Sequence, residues 1–188
     1  MLPKIYLASQ SPRRKQLLEW AEIDFEVLVQ PTDESFPDGL SPAEAVVHIA
    51  QQKAVAVKDK LTTDDIVIAA DTVVVLNDII IGKPKDREDA IAILTALSGN
   101  THYVITGVVI MRGVQQVTFY DTTTVEFNIL TPQQVEFYID KYEPYDKAGA
   151  YAIQEWIGVI GIKSINGDFY NVMGLPVSKV VPAVISLM

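Results

Sequence analysis

The sequence predicts an α/β fold with a mixed rather than purely parallel sheet. Three observations carry this: hydroxyl–proline pairs that start helices, β-branched apolar runs between them, and an order in which strands and helices alternate before several strands follow one another. Ile5-Tyr6-Leu7 is strand-like, and Ser11-Pro12 then places an N-cap hydroxyl before a proline at the first helical position. Phe25 to Val29 reads as the next strand. Ser41-Pro42 starts the second helix, with Glu44 spaced to close a capping box. Ile66 to Ala70 is an apolar strand, and Val73 to Leu76 pairs with Ile79 to Ile81 across an Asn77-Asp78 turn. A helix over Asp86 to Leu97 and a strand from Tyr103 to Met111, before Gly113, come next. Thr131-Pro132, with Gln134 as capping-box partner, starts another helix, and a last one begins near Pro176. Gln30 to Leu40, with Pro31, Asp33, Glu34, Pro37, Asp38 and Gly39, is the most evident long loop, and such loops are often functional.

At 188 residues and 20.8 kDa the chain is expected to form a single domain over 1–188. Hydrophobic residues at 49% and charged residues at 21% exclude disordered and collagen-like classes. A formal net charge of -9 and a pI near 4.6 argue against electrostatic adhesion to a nucleic-acid backbone or an anionic membrane. The absence of cysteine removes disulfides, thiolate zinc sites, iron–sulfur clusters and cysteine nucleophiles, and fits a reducing compartment. Arg112, Lys163 and Lys179 interrupt the most apolar regions, so no membrane span is expected. The first residues lack signal-peptide order, and cytoplasmic residence is the expectation.

Two places break local rules. Arg13 and Arg14 occupy the first turn of a helix, where the dipole disfavours cations by roughly 0.3 to 1 kcal/mol each. Either an anion binds there, gripped by the arginines with the hydroxyls of Ser9 and Ser11, or both arginines face solvent or pair with acids such as Glu19 or Glu22. Asp71 follows the run Ile66-Val67-Ile68-Ala69-Ala70, and a carboxylate at the end of a buried strand is costly without a partner. In open α/β sheets ligands gather at such strand ends. Glu34 is either a second carboxylate of the same site or a solvated loop acid. Lys53, late in the second helix, and Lys83, in Gly82-Lys83-Pro84, read as surface lysines when each is taken alone. The segment Asp146-Lys147-Ala148-Gly149-Ala150-Tyr151-Ala152-Ile153-Gln154 combines small residues, a charged pair and an amide able to read a nucleobase edge; otherwise it is a loop followed by an edge strand.

No P-loop, dinucleotide-binding glycine motif, His-Glu-x-x-His or Gly-x-Ser-x-Gly elbow occurs. His48, in an apolar helix, and His102, at a strand start, read as structural. Carboxylates among cations point to an oxygen-ligated ion such as Mg²⁺ that bridges protein to phosphate.

In order, Leu7-Ala8-Ser9-Gln10-Ser11-Pro12-Arg13-Arg14-Lys15, Asp33-Glu34, Lys53, Ala70-Asp71-Thr72-Val73-Val74, Gly82-Lys83-Pro84, Leu97-Ser98-Gly99, Thr106-Gly107-Val108, the segment Asp146 to Gln154, and Gly167-Asp168-Phe169-Tyr170-Asn171-Val172-Met173-Gly174-Leu175-Pro176 closely resemble the Maf family of nucleoside triphosphate pyrophosphatases. The resemblance runs nearly end to end. It implies a two-lobed mixed sheet with flanking helices and a central cleft, like the inosine triphosphate pyrophosphatase fold. It also implies divalent-metal-dependent release of pyrophosphate (Mg²⁺ or Mn²⁺), and a homodimer. Asp-Lys-Ala-Gly-Ala-Tyr followed by Gln154 resembles the branch acting on dTTP and UTP. By that matching, Asp71 and Glu34 are catalytic and hold the metal, and Arg13, Thr72 and Gln154 set base choice. Ser9, Arg14, Lys53 and Lys83 hold the triphosphate. Where the family often continues with glycine after the amide, this chain has Glu155-Trp156.

A triphosphate repels a nucleophile, so cations and metal must neutralise it before a carboxylate-activated water attacks between the α- and β-phosphates. A nucleotide-binding regulatory protein without turnover is the other functional class the same residues fit; counting pyrophosphates released per chain separates the two. Clearing noncanonical nucleotides and trimming a pool of ordinary ones fit the sequence equally.

Overall fold

A hydroxyl before proline starts a helix because its oxygen takes an orphan N–H while the proline has none to satisfy. In the computed structural model, which describes residues 3–188, strand β1 (Ile5–Leu7) leads to helix α1 (Pro12–Trp20), capped by Ser11. Strand β2 (Glu26–Val27) is shorter than the apolar run around it. Helix α2 (Pro42–Val57) has the full Ser41–Glu44 capping box. Strand β3 (Ile66–Leu76) turns at Asn77 and Asp78, both at positive φ, into β4 (Ile79–Ile81). This hairpin has the left-handed turn residues that suit the twist of paired strands. Helix α3 (Arg87–Leu97), capped by Asp86, precedes the long strands β5 (Thr101–Arg112) and β6 (Gln115–Phe127). Helix α4 (Pro132–Tyr142) carries the Thr131–Gln134 box. Helix α5 (Trp156–Gly161), strand β7 (Ile162–Asn166), helix α6 (Phe169–Met173) and helix α7 (Val177–Ser186) end the chain.

Seven strands form one mixed sheet in the order β2-β1-β3-β5-β6-β7, with β4 on β3. Strand β1 runs parallel to β2 and β3, with Ile5 opposite Ile66. The β3–β4 and β6–β7 pairs are antiparallel, with Val75 opposite Ile80 and Val125 opposite Ile165. The segment expected as two strands, Ile66 to Ala70 and Val73 to Leu76, is one. Asp71 and Thr72 are its half-buried middle, so Asp71 does not end a strand as expected. Backbone pairing continues through the polar residues because ladder bonds do not depend on the side chain. The segment from Asp146 to Gln154 forms short 3-10 turns and a loop rather than leading to an edge strand.

The chain divides into two compact units. The first comprises the described residues up to Thr72, with Thr106–Asp121 and Gly174–Met188; the second comprises Val73–Ile105 and Thr122–Met173. In the first, Ala50, Ala54 and Val57 of α2 pack with Ala8, Val67, Ala69, Val109 and Met111. Gly107 makes that fit: a Cβ there would lie 2.6 Å from the backbone of Val46. In the second, α3 packs against α4, and Phe127, Tyr138, Ile139 and Ile157 are among its fully buried side chains.

Candidate active site

Seven of the nine expected site residues belong to the first unit: Ser9, Arg13, Arg14, Glu34, Lys53, Asp71 and Thr72. Strand β3 presents Asp71, and α2 brings Lys53 to it. The Lys53 Nζ donates to Asp71 Oδ1 at 2.7 Å and pairs with Glu34 Oε1 at 2.9 Å. Lys53 and Asp71 each keep only 14% of their side-chain surface exposed, whereas Glu34 keeps 51%. Glu34 is thus half-exposed but paired with the same ammonium as Asp71, and Lys53 is not a surface lysine. The Glu34 loop is held at a second point, where Gln52 Nε2 donates to the Ser35 carbonyl at 3.3 Å.

Arg14 is buried, which sets aside the solvent-facing alternative for it; the acid Glu19 pairs instead with Lys15. Its guanidinium donates through Nε to the Gly174 carbonyl at 2.8 Å, through Nη1 to Ser9 Oγ at 3.1 Å and through Nη2 to Thr72 Oγ1 at 2.8 Å. Burial lowers the Arg14 pKa from its ordinary value, and the charges of Asp71 and Glu34 oppose that shift. Ser9 Oγ also accepts the Ser11 N–H at 3.2 Å, so one hydroxyl joins the start of α1 to the arginine. Thr72 and Thr106 hydroxyls lie 2.9 Å apart. Arg13 is half-buried at the second position of α1. Thr106 and the Gly174 carbonyl were missed as members of this network. Both lie in sequence motifs the resemblance singles out, but only contact with Thr72 and Arg14 gives them a role.

The donor set suits a hard divalent ion. Two carboxylates already converge on one cationic centre, and Mg²⁺ characteristically takes one or two carboxylates and completes its shell with waters and phosphate oxygens. Among the described residues no group of three or more metal-ligating side chains gathers.

Lys83 and Gln154 belong to the second unit, and both are exposed. Their segments are tied together there: the Gly149 N–H donates to the Gly82 carbonyl at 3.1 Å. Gly149 has a φ of +71°, and a Cβ would meet Val74 at 2.7 Å, so this approach requires glycine. His102 is structural as expected. It is buried, with Nε2 2.7 Å from Tyr151 Oη, and burial lowers its pKa to about 4. The same burial raises the Tyr151 pKa.

A protein of Parabacteroides distasonis named dTTP/UTP pyrophosphatase is 51% identical over 177 residues, covering 94% of this chain and 92% of that one. Proteins of the same name from Cytophaga hutchinsonii and Bacteroides thetaiotaomicron are 49% and 46% identical, covering 94% of this chain in each case and 81% and 92% of theirs. Among solved structures, a Ham1 protein of Staphylococcus aureus aligns at a TM-score of 0.46 with 18% identity, over 66% of this chain and 71% of that one. The family model described as Maf-like protein matches residues 4–186, and the chain belongs to that family.

Proposed function

We propose that this protein hydrolyses dTTP and UTP to the monophosphate and pyrophosphate, the substrates named for relatives 45–51% identical to it. The observation that carries the reading is the shared ammonium: Asp71 and Glu34 both meet Lys53 Nζ within 2.9 Å. Asp71, assisted by Glu34, orients a water and takes its proton as the water oxygen bonds to the α-phosphorus and the bond from that phosphorus to the αβ-bridging oxygen breaks. Pyrophosphate then departs with the bridging oxygen. Ser9, Arg14, Lys53 and Lys83 hold the triphosphate and neutralise its charge, and Arg13, Thr72 and Gln154 set the choice of base. Asp71 and Glu34 would hold Mg²⁺ or Mn²⁺, which when bound supplies further charge neutralisation at the phosphates. Residues 1–188 act as one domain, in the cytoplasm and as a homodimer, with removal of noncanonical nucleotides as a purpose. No helix among the described residues is long and apolar enough to cross a membrane.

The test is pyrophosphate release from a panel of canonical and modified triphosphates, with Mg²⁺, Mn²⁺ or chelator. Metal-dependent turnover of dTTP and UTP is expected. Turnover confined to other bases overturns the substrate assignment, and tight binding with no turnover overturns the enzymatic one.

A further inference from the structure

We propose that Tyr138 is a positioning residue for base choice, its hydroxyl fixing the segment that presents Gln154. This rests on Gln154 contacting the base. Tyr138 lies on α4, fully buried, with its ring stacked 5.0 Å from that of Tyr142. A buried phenol requires hydrogen-bond partners. Here the oxygen accepts the Ala152 N–H at 3.1 Å and donates to Glu155 Oε2. The two contacts stand on either side of Ile153 and Gln154, so one hydroxyl pins both ends of that span.

The surroundings hold the same short stretch. Glu155 Oε1 lies 3.6 Å from Lys147 Nζ, which also pairs with Asp146 at 2.7 Å. Tyr151, Ala152 and Ile153 are buried and Gln154 is exposed, so the amide is presented outward from a fixed base. A Cβ on Gly158 would lie 1.8 Å from the Ile153 carbonyl oxygen, so the start of α5 closes directly on this backbone. Residues 151–155 lie in no helix or strand; the Glu155 N–H donates to the Ala152 carbonyl at 3.1 Å and closes a turn across Ile153 and Gln154, and the Tyr138 hydroxyl ties both ends of that turn to α4. An amide reads a base edge through one donor and one acceptor, and a displacement of about 1 Å forfeits that pairing.

Tyr138→Phe keeps the ring and deletes the hydroxyl. In the full chain, KM for dTTP and UTP is expected to rise about tenfold with kcat within about twofold, and the preference in kcat/KM over dGTP to fall about tenfold. Glu155→Gln retains an acceptor for the hydroxyl and is expected to keep that preference within about twofold. A Phe variant that unfolds at lower temperature yet keeps the wild-type preference shows a merely structural role and overturns the proposal alone. Wild-type protein that does not prefer dTTP and UTP overturns the proposed substrate reading and this proposal together. Should the Phe variant not fold, Glu155→Ala removes the acceptor from a half-buried position; loss of preference there supports the proposal, and unchanged preference overturns it.

Discussion

Asp71, with Thr72, interrupts a strand that is buried on either side of the pair, and a carboxylate there is tolerable only because Lys53 meets it at 2.7 Å. Asp71→Asn keeps the shape and a polar contact but removes the proton acceptor. Pyrophosphate release is expected to fall about 10²- to 10⁴-fold with the thermal midpoint close to wild type. A folded variant with full turnover sinks the assigned role. His102 gives a second residue-level prediction. Burial sets its pKa near 4 instead of 6.5, so the unfolded chain binds this proton more readily than the folded one. Its contribution to stability is therefore complete above about pH 6.5 and is lost as pH falls from there towards 4. At pH 5 the loss is about 2 kcal/mol. Comparing urea unfolding at pH 7 and pH 5, His102→Gln should be less pH-sensitive than wild type by about that amount; equal sensitivity would contradict the assignment.

At the scale of elements, the site depends on how closely α2 approaches β5, because α2 carries Lys53. Gly107 permits the approach, and an alanine Cβ would stand 2.6 Å from Val46 and Val47 backbone atoms. Gly107→Ala is expected to destabilise the fold by about 1 to 3 kcal/mol, read by denaturant unfolding, and to lower activity by moving Lys53 from its carboxylates. Stability unchanged from wild type would mean the helix can shift at no cost. The helix starts were legible in the sequence because capping is local: Ser11, Ser41 and Thr131 accept the expected N–H groups. Strand β6 was not legible, since Gln115 to Phe127 is rich in threonine and polar residues and lacks an apolar run, although its exposure alternates in the structure. Short β7 and α5 escaped for a related reason: five or six residues are too few for a period to show.

The whole molecule carries a formal net charge of -9, so its cations act locally rather than through a broad field. Fluorescence polarisation of a labelled DNA duplex at physiological salt is expected to show no binding at micromolar protein. Saturable binding in that range would point to a basic surface that the net charge conceals.

The sequence by itself determined the α/β class, the helix starts and the exclusion of cysteine chemistry, and it offered the cations and carboxylates that are candidates for a site. Those features are local, or they depend on composition. Tertiary structure alone decided which groups meet. Lys53 reaches Asp71 across 18 positions, and Arg14 reaches Gly174 across 160. Only the packing of helix against sheet brings such residues within hydrogen-bond distance, and no spacing along the chain encodes it. The same holds for Tyr138, an ordinary buried aromatic on the core face of an amphipathic helix until folding sets its hydroxyl against Ala152 and Glu155.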